Sequence, residues 1–198
     1  TPYAGAFIRY FVRNPLTQLL PRKFKVAFSG SDTDRVIADI HDLGFFSRTR
    51  VVDGETIRGF RIVTGGGLSI MPKVAFELYD FVPESDYLRV SEAVLRIFNR
   101  SDELRRNRMK ARIKFLIHRV GIEAFRGMVE EELKGEWAQR DYPLEDLLFL
   151  DDEQADAPDL PVAAPPISDE DVELFERFVA TNVRPQVQDG YSAIEVKV

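Results

Sequence analysis

The chain has 198 residues, 44% of them hydrophobic, enough for one ordinary core and the edge of a second unit. No apolar run approaches the roughly 20 residues of a membrane-spanning helix, and with no cysteine the chain can form no disulfide, thiolate nucleophile or cysteine-held metal cluster of its own. The net charge of −6 hides an asymmetry: Asp141 to Glu176 holds 13 of the 33 acidic residues and none of the 27 basic ones, leaving the remainder at about +7, which suits an anionic partner such as nucleic acid, phosphate, a carboxylated cofactor or an inorganic oxyanion.

The opening TPYAGAFIRYFVRNP has no initiator Met, no long apolar core and no cleavage pattern. It reads as the middle of something rather than as a secretory leader, and a reducing, cytoplasmic location is the expectation. Next, LPRKFKVAFSG predicts a strand at about 25–29 behind a proline. Side chains alternate along extended chain, so Lys23 and Lys25 point the same way, their stems about 6.6 Å apart. Two ammonium groups so placed repel unless something anionic sits between them. The competing reading is a solvated lysine edge that blocks sheet-to-sheet association.

SGSDTD then supplies a turn and a helix cap ahead of DRVIADIHDLG, a short segment closed by Gly44. FFSRTRVVDGETIRGFRIVTGGG gives two extended runs, 45–52 and 57–64, around Asp53-Gly54, a dipeptide that favours a tight hairpin turn. The hairpin ends in Gly65, Gly66 and Gly67. Such a triplet can bring backbone amides close to an anion, or simply turn the chain. It is neither a P-loop nor a dinucleotide fingerprint.

After Pro83, the apolar spacing of Tyr87, Val90, Val94, Ile97 and Phe98 predicts a helix over 86–99. ELRRNRMKARIKFLIHRVG and GIEAFRGMVEEEL predict further helix over 103–133. At 100° per residue, Met109, Ile113, Leu116, Ile117 and Val120 form an apolar seam, edged by Arg105, Arg108 and Arg112 on one side and Arg106, Lys110 and Lys114 on the other. Such edge residues can lay their stems on the core and project their heads into a cleft, or form a plain solvated basic face. No aromatic stacking platform lies beside them, which argues against nucleic acid. His41 and His118 have no second ligand at metal spacing, so no metal site is assigned.

DDEQADAPDLPVAAPPISDED is rich in Pro, Ala and acid, and residues 150–167 are expected to lack regular structure. VELFERFVATNVRPQVQDGYSAIEVKV recovers an apolar pattern, with Asp189-Gly190 as a turn before a final strand. The organisation expected is therefore an α+β domain over 1–140, with one mixed β-sheet layered with helices, an acidic linker over 141–170, and the start of a second unit over 171–198.

Taken together, LPRKFKVAFSG, GFRIVTGGGLS, the FVP before VSEAVLRIFNR, RNRMKARIKFLIHRVGIEAFRGMVEEEL and NVRPQVQDGYSAIEVKV resemble motifs found in the same order in the siroheme-dependent nitrite and sulfite reductases. The resemblance covers nearly all of residues 18–133, and the last motif resembles the start of that family's second ferredoxin-like half-repeat. It implies a six-electron reduction of nitrite or sulfite at a siroheme iron coupled to a 4Fe-4S cluster. Electrons would come from ferredoxin or a flavoprotein. It assigns Lys23 and Lys25 to the substrate anion, Arg112 to a siroheme carboxylate, Gly65 to Gly67 to the macrocycle's surface, and Arg22 to their neighbourhood. The family's cluster cysteines are absent, and its upstream substrate arginines would lie before Thr1. The expectation is therefore a middle piece of a longer enzyme, inactive alone and dependent on the remaining halves of its parent. The alternative is a module that keeps the fold without cofactors and binds an anion or RNA.

Overall fold

The structure, a computed structural model, describes residues 2–149, 166–186 and 190–196. They divide into two compact units, Thr1–Phe149 and Leu150–Val198.

The first unit is built on a hairpin of β2 (Leu43–Val52) and β3 (Glu55–Thr64), paired antiparallel from Val52↔Glu55 to Leu43↔Thr64. Asp53 and Gly54 at its tip have φ of 51° and 85°, the left-handed pair that a two-residue turn requires. β1 (Val26–Ser29) adds to β2 in parallel, and β4 (Phe76–Pro83) adds antiparallel to β3, giving the order β1-β2-β3-β4. This is the mixed sheet of an α+β fold.

Alternate residues serve opposite faces. Phe45 and Ile62 enter the main core, where Phe28 stacks on Phe45 at 4.4 Å and Phe60 and Tyr87 pack edge-on. Phe46 and Val63 meet Ala38 on the other face. Both faces are covered at this end, so Leu43 to Phe46 is buried throughout, while the hairpin tip is exposed. Helix α1 (Pro2–Phe11) seats Phe7 and Phe11 in the core, and α2 (Tyr87–Arg100) is buried along most of its length. α3 (Ile113–Val120) and α4 (Ile122–Glu132) join at Gly121, whose φ of 85° permits the sharp bend.

Three expectations need correction. The helix predicted from 103 is broken. Asp102–Arg106 forms a short helical turn, the Asn107 side chain then accepts from the Met109 amide at 3.0 Å, and Arg112 is extended at φ −84°, ψ 147°. Asn competes with the helix for backbone donors, which favours such a stop. The apolar seam therefore begins at Ile113, Met109 is 59% exposed, and Lys114 turns inward to 2% exposure. The segment before Gly44 holds a single 3-10 turn, Ala38–Ile40, with Asp34 Oδ1 accepting from the Ala38 amide at 2.9 Å. Finally, α1 and β4 add a helix and a fourth strand that the apolar patterns had not supplied.

The described part of the second unit contains α5 (Val172–Asn182) followed by β5 (Val183–Pro185) and β6 (Ser192–Ile194), paired antiparallel. Of the linker expected over 141–170, residues 150–165 lie outside the described residues, while 141–149 are described within the first unit and include a helical turn, Leu144–Leu147.

Candidate functional site

Ahead of β1 the chain runs extended, so the period of two already operates at residues 23–25. Phe24 turns inward onto Phe98, with ring centroids 5.5 Å apart, and Lys23 and Lys25 turn outward. Both lysines line a cleft of about 160 Å³ with Arg22, His41, Leu68, Ile70 and Arg112. Among the described residues neither ammonium has a hydrogen-bond or ion-pair partner. Arg22 is tied by its guanidinium to the carbonyl of Arg108.

The back of the cleft is organised by Asp42, which is fully buried. Its carboxylate accepts the Lys25 amide at 2.7 Å, Arg112 Nε at 2.9 Å and Arg112 Nη2 at 2.5 Å. Its carbonyl accepts the Thr64 hydroxyl at 2.7 Å and the Gly65 amide at 3.1 Å. One residue thus joins the RKFK segment, the end of β3 and the start of α3. Burial pushes its carboxyl above the ordinary aspartate range, opposed chiefly by Arg112 and by the Lys25 amide. The fork engages two of the five guanidinium N–H groups.

Lys114 also borders the cleft but faces away from it in function. Its Nζ donates to the carbonyls of Gly67, Leu68, Ile70 and Met71 at 3.0–3.3 Å. Burial, then the charge of Arg112, holds its pKa below the usual lysine value, with Asp42 opposing.

Lys23, Lys25, Arg22 and Arg112 thus meet in one place. The glycines stand behind it, buried against the chain itself. A Cβ on Gly66 would lie 2.3 Å from the Asp39 carbonyl and 2.7 Å from that of His41, and one on Gly65 would lie 3.1 Å from Ile117. The Gly66 amide donates to His41 at 2.9 Å. Close backbone packing therefore accounts for Gly66 without any ligand. Asp42 and the inward Lys114 carried no sequence signal, because each acquires its partners only from segments distant in the chain. His41 borders the cleft and holds the Ile37 carbonyl through Nδ1 at 2.9 Å. His118 is exposed and packs beside Phe76.

The cleft thus gathers two ammonium groups, unpaired among the described residues, and a guanidinium whose fork is on Asp42, and the sequence around it identifies the family. The family model for the nitrite and sulphite reductase 4Fe-4S domain matches residues 1–136. The chain belongs to the siroheme-dependent nitrite and sulfite reductases. Among relatives in this family, sulfite reductase (ferredoxin) 1 of Mycolicibacterium paratuberculosis is 38% identical over 132 residues, covering 67% of this chain and 23% of that protein. The sulfite reductase (NADPH) hemoprotein beta-component of Methylobacterium radiotolerans is 34% identical over 122 residues, covering 58% and 19%. The solved structure of Mycobacterium tuberculosis NirA aligns with a TM-score of 0.59 at 34% identity, covering 67% of this chain and 24% of that one. The chain thus spans about a fifth to a quarter of the length of these reductases.

The family's two cofactors fit this chain unequally. A 4Fe-4S cluster needs thiolates, and the chain has no cysteine. Among the described residues no group of three His, Asp or Glu could hold a metal ion either. For a carboxylate-bearing macrocycle the chain does hold a matching donor type, Arg112 at the cleft wall, whose guanidinium has N–H groups beyond the two given to Asp42. Among the described residues no helix is long and apolar enough to cross a membrane.

Proposed function

We propose that the chain supplies the anion-facing wall of a siroheme nitrite or sulfite reductase, with Lys23 and Lys25 holding the substrate anion and Arg112 holding a siroheme carboxylate. Arg22 adds positive charge at the rim, and Gly65 to Gly67 set the depth of the wall behind the macrocycle. The observation that carries this reading is the pair of outward, unpaired ammonium groups sharing a cleft with Arg112. Among the described residues Asp42 is engaged by Arg112 and the Lys25 amide, and Lys114 by loop carbonyls, so neither answers the charge of the two lysines.

Siroheme, when bound, supplies the iron at which nitrite or sulfite takes up six electrons. The chain's own part is electrostatic. Preorganised ammonium groups in a restricted cleft stabilise both the bound oxyanion and the negative charge that builds on it during reduction. Each ammonium could also donate a proton to an oxygen that leaves as water. Asp42 holds Arg112 at the cleft wall through the two bonds of its fork, so its positive charge stays beside the two lysines. The relatives' names give ferredoxin and NADPH as electron donors, and a donor of one of these kinds is the partner proposed for the parent enzyme.

The test is made in the parent enzyme. Lys23→Ala and Lys25→Ala retain siroheme absorbance and lose sulfite or nitrite turnover. Arg112→Lys keeps a charge opposite Asp42 but loses the planar fork, and it loses siroheme while the fold persists. Full turnover in both lysine variants would overturn the assignment and leave the solvated-edge reading of the RKFK motif.

A further inference from the structure

Lys114 is 2% exposed, and its ammonium is met by four backbone carbonyls and, among the described residues, by no carboxylate. The four carbonyls belong to one short loop, residues 67–71. They converge because Ser69 and Met71 take left-handed φ values of 71° and 55°, a conformation uncommon for residues other than glycine. Gly67 and Lys73 close the neck of the loop by exchanging amide hydrogen bonds at 2.9 Å in both directions. An ammonium has three N–H groups, and carbonyls crowded around a point without a cation would repel one another. The loop therefore encloses a site for a single positive charge.

We propose that Lys114 is a positioning residue that occupies this site as a built-in cation and so sets the wall of the anion cleft. Leu68, Ser69 and Ile70 line the cleft opposite Lys23 and Lys25, and Leu68 and Ile70 are 57% and 50% exposed. The side chains that bound the ligand volume are thus fixed from behind by a charge that never meets the ligand. The consequence for the anion rests on the function proposed above. The latch itself stands on the carbonyl geometry and is measured without any anion.

Hydrogen exchange read by mass spectrometry on the 198-residue chain tests the latch. In Lys114→Ala the amides of Gly67 and Lys73 exchange about tenfold faster or more, while those of β2 and β3 keep their protection. Methylammonium restores protection, because it brings N–H donors into the vacated space. Tetramethylammonium, which has the charge but no donor, does not. Lys114→Met keeps the volume of the stem and gives the same release without rescue. Unchanged loop exchange, equal loosening of β2 and β3, or equal rescue by tetramethylammonium would each overturn the latch. If neither variant folds, the unaltered chain decides: Lys114 acetylates no faster than the Gly67 and Lys73 amides exchange, and faster acetylation overturns the proposal. Sulfite affinity of Lys114→Met is the separate arm. A loosened loop with unchanged affinity leaves the latch in place and removes its role in the anion site.

Discussion

Two clusters of positive charge in the first unit are arranged in opposite ways. Around Glu92, which is 1% exposed, every group is satisfied. Oε1 accepts Arg96 Nε and Nη2 at 3.0 and 2.9 Å, and Oε2 accepts Arg140 Nη2 at 2.5 Å, the Tyr10 hydroxyl at 2.8 Å and the Tyr142 hydroxyl at 3.1 Å. This knot ties α1, α2 and the segment after α4 together. In the cleft one carboxylate, Asp42, also serves the backbone and one arginine, yet among the described residues two lysines beside it remain unpaired. Positive charge gathered around an acid holds the fold. Positive charge left over is free to hold something else.

Breaking the knot should give the largest effect. Glu92→Ala is expected to lower unfolding free energy in urea by about 3 kcal/mol, toward the low end for a broken buried pair because Arg96 and Arg140 can turn back to water, with oxyanion binding unchanged. In the cleft the balance reverses. Lys23→Ala or Lys25→Ala in the parent enzyme should lower turnover by about 10²-fold, the scale of removing one preorganised donor to developing charge.

Alkali sharpens the contrast further. Burial and then the Glu92 carboxylate push the Tyr10 hydroxyl up to about 12, and burial with the charge of Glu92 also raises Tyr142. A phenol that holds its proton more tightly folded than unfolded contributes stability below the unfolded value near 10 that is lost as pH rises through the folded value. The slope approaches about 1.4 kcal/mol per pH unit for each such group. Urea midpoints between pH 9 and 12 should fall accordingly, and Tyr10→Phe should flatten the fall. The smallest effect completes the comparison. Lys23→Ala and Lys25→Ala should leave the chain's own stability within about 0.5 kcal/mol, and a larger loss would show that these lysines are structural after all.

The parts of the structure legible in the sequence are those whose causes are local. Asp53-Gly54 declared its hairpin because two adjacent residues set the turn. Lys23 and Lys25 declared a shared side because extended chain alternates. The α+β class followed from the order of the two periods. What stayed hidden depends on distance. Asp42 looks like any aspartate before a strand until Lys25 and Arg112 reach it. Lys114 lies at the edge of the Ile113, Leu116 and Ile117 seam as the helical period places it, and what encloses its ammonium is the loop at 67–71, more than 40 residues away, which no helical period can show. β4 lacks clean alternation against its neighbour, since its pairing with β3 shifts register between Phe60 and Val63. In α1, Gly5 weakens the helical signal.

Asp42 and Arg112 are 70 residues apart, and Lys114 reaches back 47 residues to Gly67. Closing such loops costs chain entropy that only non-local contacts can offset, whereas β2 and β3 meet across a two-residue turn. The order of assembly follows: the hairpin can zip on its own, and the cleft is closed late, when α3 docks its first turn against a sheet already standing. On a ribosome the same arithmetic means that a chain ending short of Arg112 has its RKFK lysines but not the frame that aims them. The polypeptide acquires its concentrated positive volume only once the scaffold beneath it can bear the repulsion.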